Sequence, residues 1–200
     1  LESALIFLTK LMTGAVPRSH GFNFEPAKQR IYYANHSSHL DTLVIWSLIP
    51  KSQRKNVRPV AAKDYWWSSP RRRYVAENVF RAVPVLRRRE KLKEDPLDEL
   101  HAALSVGDSL IFFPEGTRGD GKSVQPFKNG LYHLVKAHNE VSLVPVYIRN
   151  LNRVLPKGSL LPVPVLCNVE FGSEFKMEKE ERKADFITRS HAKLEALRTT

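Results

Sequence analysis

The sequence predicts a single α/β domain, a central mostly parallel sheet flanked by helices. Three observations carry that prediction. Runs rich in β-branched and aromatic residues alternate with runs of helical periodicity. No internal repeat or low-complexity linker interrupts the alternation. A chain of 200 residues suits one core, because a domain near this size hides roughly 70% of its unfolded surface.

Taken in order, Leu1–Val16 places Leu1, Leu5, Leu8, Leu11 and Met12 at helical spacing. This reads as an amphipathic helix, either packed on the core or lying on a lipid surface. Strands are expected at Ile31–Asn35, Val57–Ala62, Val83–Leu86, Ser109–Phe113, Leu143–Arg149 and Val163–Phe171. Helices are expected at Leu40–Ile49, Arg72–Phe80, Asp98–Val106, Phe127–Ala137 and Glu180–Leu197. Pro50 closes the first of these, since its ring cannot continue a helical turn. Asp95-Pro96 supplies a cap and an early proline for the helix near Asp98. Pro156, Pro162 and Pro164 mark an irregular connection within the domain.

Composition narrows the function classes. Hydrophobic residues at 42% and charged ones at 26% exclude wholesale disorder. The single cysteine, Cys167, excludes an internal disulfide and a multi-cysteine zinc site. A formal charge of +11 calls for an anionic partner: nucleic acid, membrane or a phosphorylated metabolite. No stretch reaches the ~18 uninterrupted apolar residues of a spanning helix. The first residue is not Met and no signal-peptide pattern follows, so the chain reads as a processed or excised piece.

Asn35-His36-Ser37-Ser38-His39-Leu40-Asp41 sits at a strand-to-helix junction, where open α/β folds place their ligands. With His36 in the entry turn and Asp41 in the first helical turn, the carboxylate can accept from one imidazole nitrogen. The other nitrogen is then free as a general base. Two other readings stay open: a helix start capped by Ser37 or Ser38, and a metal site using His36, His39 and Asp41.

A glycine-rich loop follows the strand at Ser109–Phe113. Gly116 to Ser123 matches the spacing G-x-x-x-x-G-K-[ST] of a nucleotide-phosphate loop, which would make this a nucleotide-dependent transferase. That reading needs a helix running on from Lys122, and Pro126 stands against one. The alternative uses Arg118, whose planar guanidinium at a strand end suits a phosphate dianion. Lys128 adds a second basic turn in Phe127-Lys128-Asn129-Gly130. Arg71-Arg72-Arg73 and Arg87-Arg88-Arg89 could grip nucleic-acid phosphates, but no recognised nucleic-acid-binding motif accompanies them.

Taken together, Asn35-His36 to Asp41, Phe113-Pro114-Glu115-Gly116-Thr117-Arg118 and Val144-Pro145-Val146 resemble blocks of the glycerolipid, lysophosphatidate acyltransferase-like, family. A further block, Arg81 to Arg87, is partial: it keeps Pro84, Val85 and Arg87 but has Arg81 where the family has glycine. The resemblance spans roughly Ile31 to Arg149. It implies acyl transfer from acyl-CoA or acyl-carrier protein to a glycerol phosphate acceptor, foremost lysophosphatidate. It implies His36 as general base, Asp41 as its orienter, and Arg118, Lys63 and Arg87 around the acceptor phosphate. Glu115, Gly116 and Thr117 then shape the loop that presents Arg118. No metal, cofactor or acyl-enzyme is implied, and Cys167 is expected to be a buried thiol. The implied setting is the cytoplasmic face of an anionic membrane, held peripherally or monotopically, and no nucleic acid is expected.

Overall fold

The computed structural model describes residues 2–25, 28–86, 95–151 and 166–199. The elements are α1 (Glu2–Thr13), β1 (Val16–His20), β2 (Arg30–Ala34), α2 (Asp41–Leu48), α3 (Lys51–Arg54) and β3 (Val57–Ala62). Next come α4 (Lys63–Trp66), α5 (Pro70–Tyr74), a π-helical turn (Val75–Val79), β4 (Val83–Val85), α6 (Asp98–Ser105) and β5 (Ser109–Phe112). The chain ends with α7 (Gly130–Ala137), β6 (Ser142–Ile148), β7 (Asn168–Gly172) and α8 (Lys183–Ala196).

Among the described residues the strands form one seven-stranded sheet, in the order β1-β7-β6-β2-β5-β3-β4. β6, β2, β5, β3 and β4 are mutually parallel, while β7 pairs antiparallel with β6 and carries β1 parallel to itself. The expected α/β architecture with a mostly parallel sheet is therefore present. The alternation of β2 shows why the sheet must be covered on both faces. Tyr32 and Ala34 pack with Val44, Ile45 and Trp46 of α2, whereas Ile31 and Tyr33 pack with Leu131, Leu134 and Phe186. All five residues of β2 are buried.

This topology decides where a site can form. From β2 the chain moves toward β3 through α2; from β5 it moves the opposite way, past β2, to β6 through α7. Right-handed crossovers in opposite directions must leave on opposite faces, and α2 and α7 indeed lie on the two different core clusters. A crevice opens between the C-terminal ends of β2 and β5, at the point where the winding reverses. Asn35 spans its far side: its amide donates to Ile148 O at 3.0 Å and its carbonyl accepts from Ile148 N–H at 2.8 Å.

Several element boundaries differ from the sequence expectation. The N-terminal helix stops at Thr13, because Gly14 takes φ +53 and its N–H closes on Lys10 O. The chain then enters β1, an unanticipated edge strand where Pro17 is tolerated. Expected helix Arg72–Phe80 is split into α5 and the π turn, and it starts earlier because Ser69 caps it ahead of Pro70. Helix Phe127–Ala137 begins only at Gly130, and Glu180–Leu197 only at Lys183, since Glu180 has φ +59. Residues 163–165 of the last expected strand, and Pro156, Pro162 and Pro164, lie outside the described residues.

α1 divides its side chains unusually. Thr9 and Thr13 are buried and bond back to Leu5 O and Thr9 O, while Phe7, Leu8 and Leu11 are 69%, 50% and 67% exposed. Among the described residues, no helix is long and apolar enough to cross a membrane.

Asn35→Ala leaves both polar groups of the Ile148 backbone buried and unpaired, at about 1–3 kcal/mol each. The expected loss is about 2–4 kcal/mol in urea unfolding, with an unchanged denaturant slope.

Candidate active site

Two loops meet in the β2/β5 crevice. The first is the turn 36–40, between β2 and α2. Oδ2 of the fully buried Asp41 accepts from the Ser37 amide at 2.7 Å and the Ser38 amide at 2.8 Å, and lies 2.8 Å from His36 Nδ1. With the imidazole proton on Nδ1, this carboxylate accepts it as it accepts the two amides, and Nε2 keeps its lone pair. α2 has no side-chain cap of its own; Ser38 Oγ only accepts the Leu40 amide at 3.2 Å. Asp41 acts in reverse, reaching back from the first helical residue to organise the turn before it.

The second loop, 113–119, follows β5 and grips the first from outside. Glu115 Oε1 accepts the His36 amide at 3.0 Å, and the His36 carbonyl accepts from Gly119 N–H at 2.8 Å. Phe113 stacks against the imidazole, with ring centroids 4.3 Å apart. His36 is thus held through both sides of its main chain and one face of its ring.

Glu115 is 4% exposed. Burial raises its carboxyl to about 7, the nearby charge of Asp41 pushes the same way, and the His36 and Gln125 amides oppose the shift.

The crevice widens into a cavity of about 410 Å³. Its lining combines polar groups, among them His36, Thr117, Arg118 and Lys128, with apolar ones, among them Val60, Val85, Leu86, Leu97 and Phe112. Arg118 and Lys128 make no ion pair among the described residues. Gly116 has φ +68, and a Cβ there would lie 2.9 Å from Lys128 Nζ. The absence of a side chain at 116 therefore lets the lysine lie across the loop.

Of the residues expected at the site, His36, Asp41, Glu115, Gly116, Thr117 and Arg118 come together here. Lys63 opens α4 just beyond the cavity, next to its lining residue Ala62. Arg87 lies outside the described residues, directly after the lining residue Leu86. Lys128 was legible only as a basic turn; its place beside Arg118 depends on its N–H bonding to Pro114 O at 2.8 Å. His39 stacks on Tyr65, with centroids 5.2 Å apart. Among the described residues no three His, Cys, Asp or Glu side chains gather as a metal site. The nucleotide-loop alternative lacks its helix, since residues 119–129 contain none and α7 starts at Gly130.

Comparison with known proteins defines the class. The acyltransferase family model matches residues 17–149, and the chain belongs to that family. It is 29% identical over 166 residues to 1-acyl-sn-glycerol-3-phosphate acyltransferase of Cocos nucifera, covering 81% of this chain and 51% of that protein. Against human 1-acyl-sn-glycerol-3-phosphate acyltransferase alpha it is 28% identical over 127 residues, covering 62% of this chain and 42% of that protein. The chain thus spans about half the length of the curated relatives it matches. Its fold superimposes on PlsC, the LPA acyltransferase of Thermotoga maritima, with TM-score 0.78 at 18% identity, covering 98% of this chain and 78% of the other.

Glu115 yields a pH-dependent prediction. A carboxyl raised from 4.5 to about 7 favours folding in its protonated form. Its stabilisation is complete below the unfolded value and is lost as pH rises toward the folded one. Melting curves from pH 4 to 8 should therefore show wild type falling relative to Glu115→Gln across that window. Parallel curves would contradict the shift.

Proposed function

We propose that this chain is the catalytic domain of an O-acyltransferase that moves a fatty acyl group from a thioester donor, acyl-CoA or acyl-carrier protein, onto the free hydroxyl of lysophosphatidate. The observation carrying this reading is the His36–Asp41 pair opening into the cavity that also holds Arg118. Family membership and the 1-acyl-sn-glycerol-3-phosphate acyltransferase relatives support it.

In this mechanism Nε2 of His36 removes the proton of the acceptor hydroxyl as its oxygen attacks the thioester carbonyl. The tetrahedral intermediate collapses, the C–S bond breaks, and the imidazolium returns the proton to the departing thiolate. Asp41 holds the imidazole in the required tautomer and stabilises it while charged. Such base assistance contributes roughly 10²–10⁴-fold, and holding hydroxyl and thioester together contributes more. Arg118 and Lys128 hold the acceptor phosphate, with Lys63 and Arg87 as further candidates. Glu115, Gly116 and Thr117 shape the loop presenting Arg118. The apolar lining suits the acyl chain, where each buried methylene is worth about 0.8 kcal/mol.

Attack is direct, without an acyl-enzyme. Cys167 supports this, as its buried thiol is pushed up to about 11. The chemistry so written requires no cofactor. We place the domain on the cytoplasmic face of a membrane, where Phe7, Leu8 and Leu11 of α1 meet lipid and the basic excess meets anionic head groups. The whole chain then acts as one acyltransferase domain.

His36→Ala should lower kcat at least 10³-fold at unchanged circular dichroism; near-wild-type turnover would remove His36 from the mechanism. Arg118→Ala should raise the acceptor KM about 10-fold or more with little change in the donor KM, and an unchanged acceptor KM would move the phosphate elsewhere.

A further inference from the structure

A second cationic group stands outside the cavity, on elements that do not line it. The guanidinium of Arg72, in α5, lies 4.4 Å over the ring of Tyr65, in α4. Tyr65 in turn stacks on His39, three residues from His36. Ser68 Oγ accepts from Arg72 Nη1 at 3.3 Å, fixing the head group from another side. Among the described residues no carboxylate pairs with Arg72, although its neighbour Arg73 is paired with Glu77 at 2.9 Å. A guanidinium held by a ring and a hydroxyl, with its charge left open, is preorganised for an external anion.

His39 connects this group to the reacting centre. Burial first, and then Arg118, the neighbouring His36 ring and Arg72, push its imidazole below the ordinary value. Arg118 and Arg72 therefore bear on the same ring, one from the β5 loop and one from α5. An anion on Arg72 lies two stacked contacts, 5.2 and 4.4 Å, beyond His39. One chemical feature of the donor is long enough to bridge those two contacts. Acyl-CoA and acyl-carrier protein both carry the thioester on 4′-phosphopantetheine, whose arm is comparable to a chain of four to five residues. At ~3.3–3.6 Å per residue it spans roughly 15 Å from sulfur to phosphate.

We infer that Arg72, propped by Tyr65, is the subsite for the phosphopantetheine phosphate of the acyl donor. The inference rests on the acyltransferase reading above and adds to it the direction from which the donor enters: over His39, between the α2 and α5 starts. The acceptor phosphate stays with Arg118 and Lys128.

The test is steady-state kinetics of wild type, Arg72→Ala and Tyr65→Ala in detergent micelles at saturating lysophosphatidate. The donors are palmitoyl-CoA, palmitoyl-acyl-carrier protein and the phosphate-free thioester S-palmitoyl-N-acetylcysteamine. Arg72→Ala should raise the KM of whichever phosphate-bearing donor wild type uses about 10-fold, with the acceptor KM and kcat changed less than twofold. Tyr65→Ala should raise the same KM about threefold. With the phosphate-free thioester, wild type and Arg72→Ala should converge in kcat/KM. An equal loss on that thioester would overturn the proposal in favour of a structural role. An unchanged donor KM, with weakened binding to phosphatidylglycerol vesicles, would overturn it in favour of a lipid contact. If wild type transfers from none of the donors, the acyltransferase reading itself fails; transfer by wild type with Arg72→Ala indistinguishable from it refutes the subsite alone.

Discussion

A single oxygen, Oδ2 of Asp41, gathers the imidazole of His36 and the amides of Ser37 and Ser38. Taking a carboxylate fully out of water costs several kcal/mol unless hydrogen bonds replace its hydration. Those three donors do so for Oδ2 alone, while Oδ1 is buried without a partner, and they bend the chain between β2 and α2 into one turn. The ring direction of His36, the start of α2 and the mouth of the cavity all follow from that turn. Removing the carboxylate would release two buried amides and a ring together, so its structural and chemical roles cannot be separated by deletion alone.

Much of this was readable in one dimension. The five-residue spacing of His36 and Asp41 after a β-branched, aromatic run is enough to place an imidazole and a carboxylate within reach of each other at a strand end. Arg118 was readable for the same reason, as a lone guanidinium just past the next apolar strand. What escaped reading depends on pairings between distant segments. β1, the sequence Val-Pro-Arg-Ser-His, has no strand signal; backbone bonds from β7 make it one. Lys128 is tied to the Arg118 loop by its N–H bond to Pro114 O, and Gly116, having no side chain, leaves room for it. His39 looks like a partner of His36 by spacing, yet the ring of Tyr65 captures it.

The charge excess also becomes ordered in space. Several basic side chains are neutralised locally: Arg73 by Glu77, Arg182 by Asp185, Arg189 by Glu181, Arg198 by Glu195. The exposed pairs among them contribute little to stability, typically ~0–1 kcal/mol; Arg189–Glu181 is the more buried one. Other basic side chains make no ion pair among the described residues: Arg118 and Lys128 on the cavity lining, and Arg72, Lys51, Lys136 and Lys193 outside it. Charges left uncompensated in this way steer anionic ligands from a distance.

The grip of Glu115 and Gly119 on the His36 main chain joins segments about eighty positions apart. Contacts of that separation form late, after the loop between them has closed. A nascent or partly melted chain can therefore own every reactive side chain and still be chemically silent. Competence is a property of the assembled β2–β5 seam, gained and lost in step with cooperative folding.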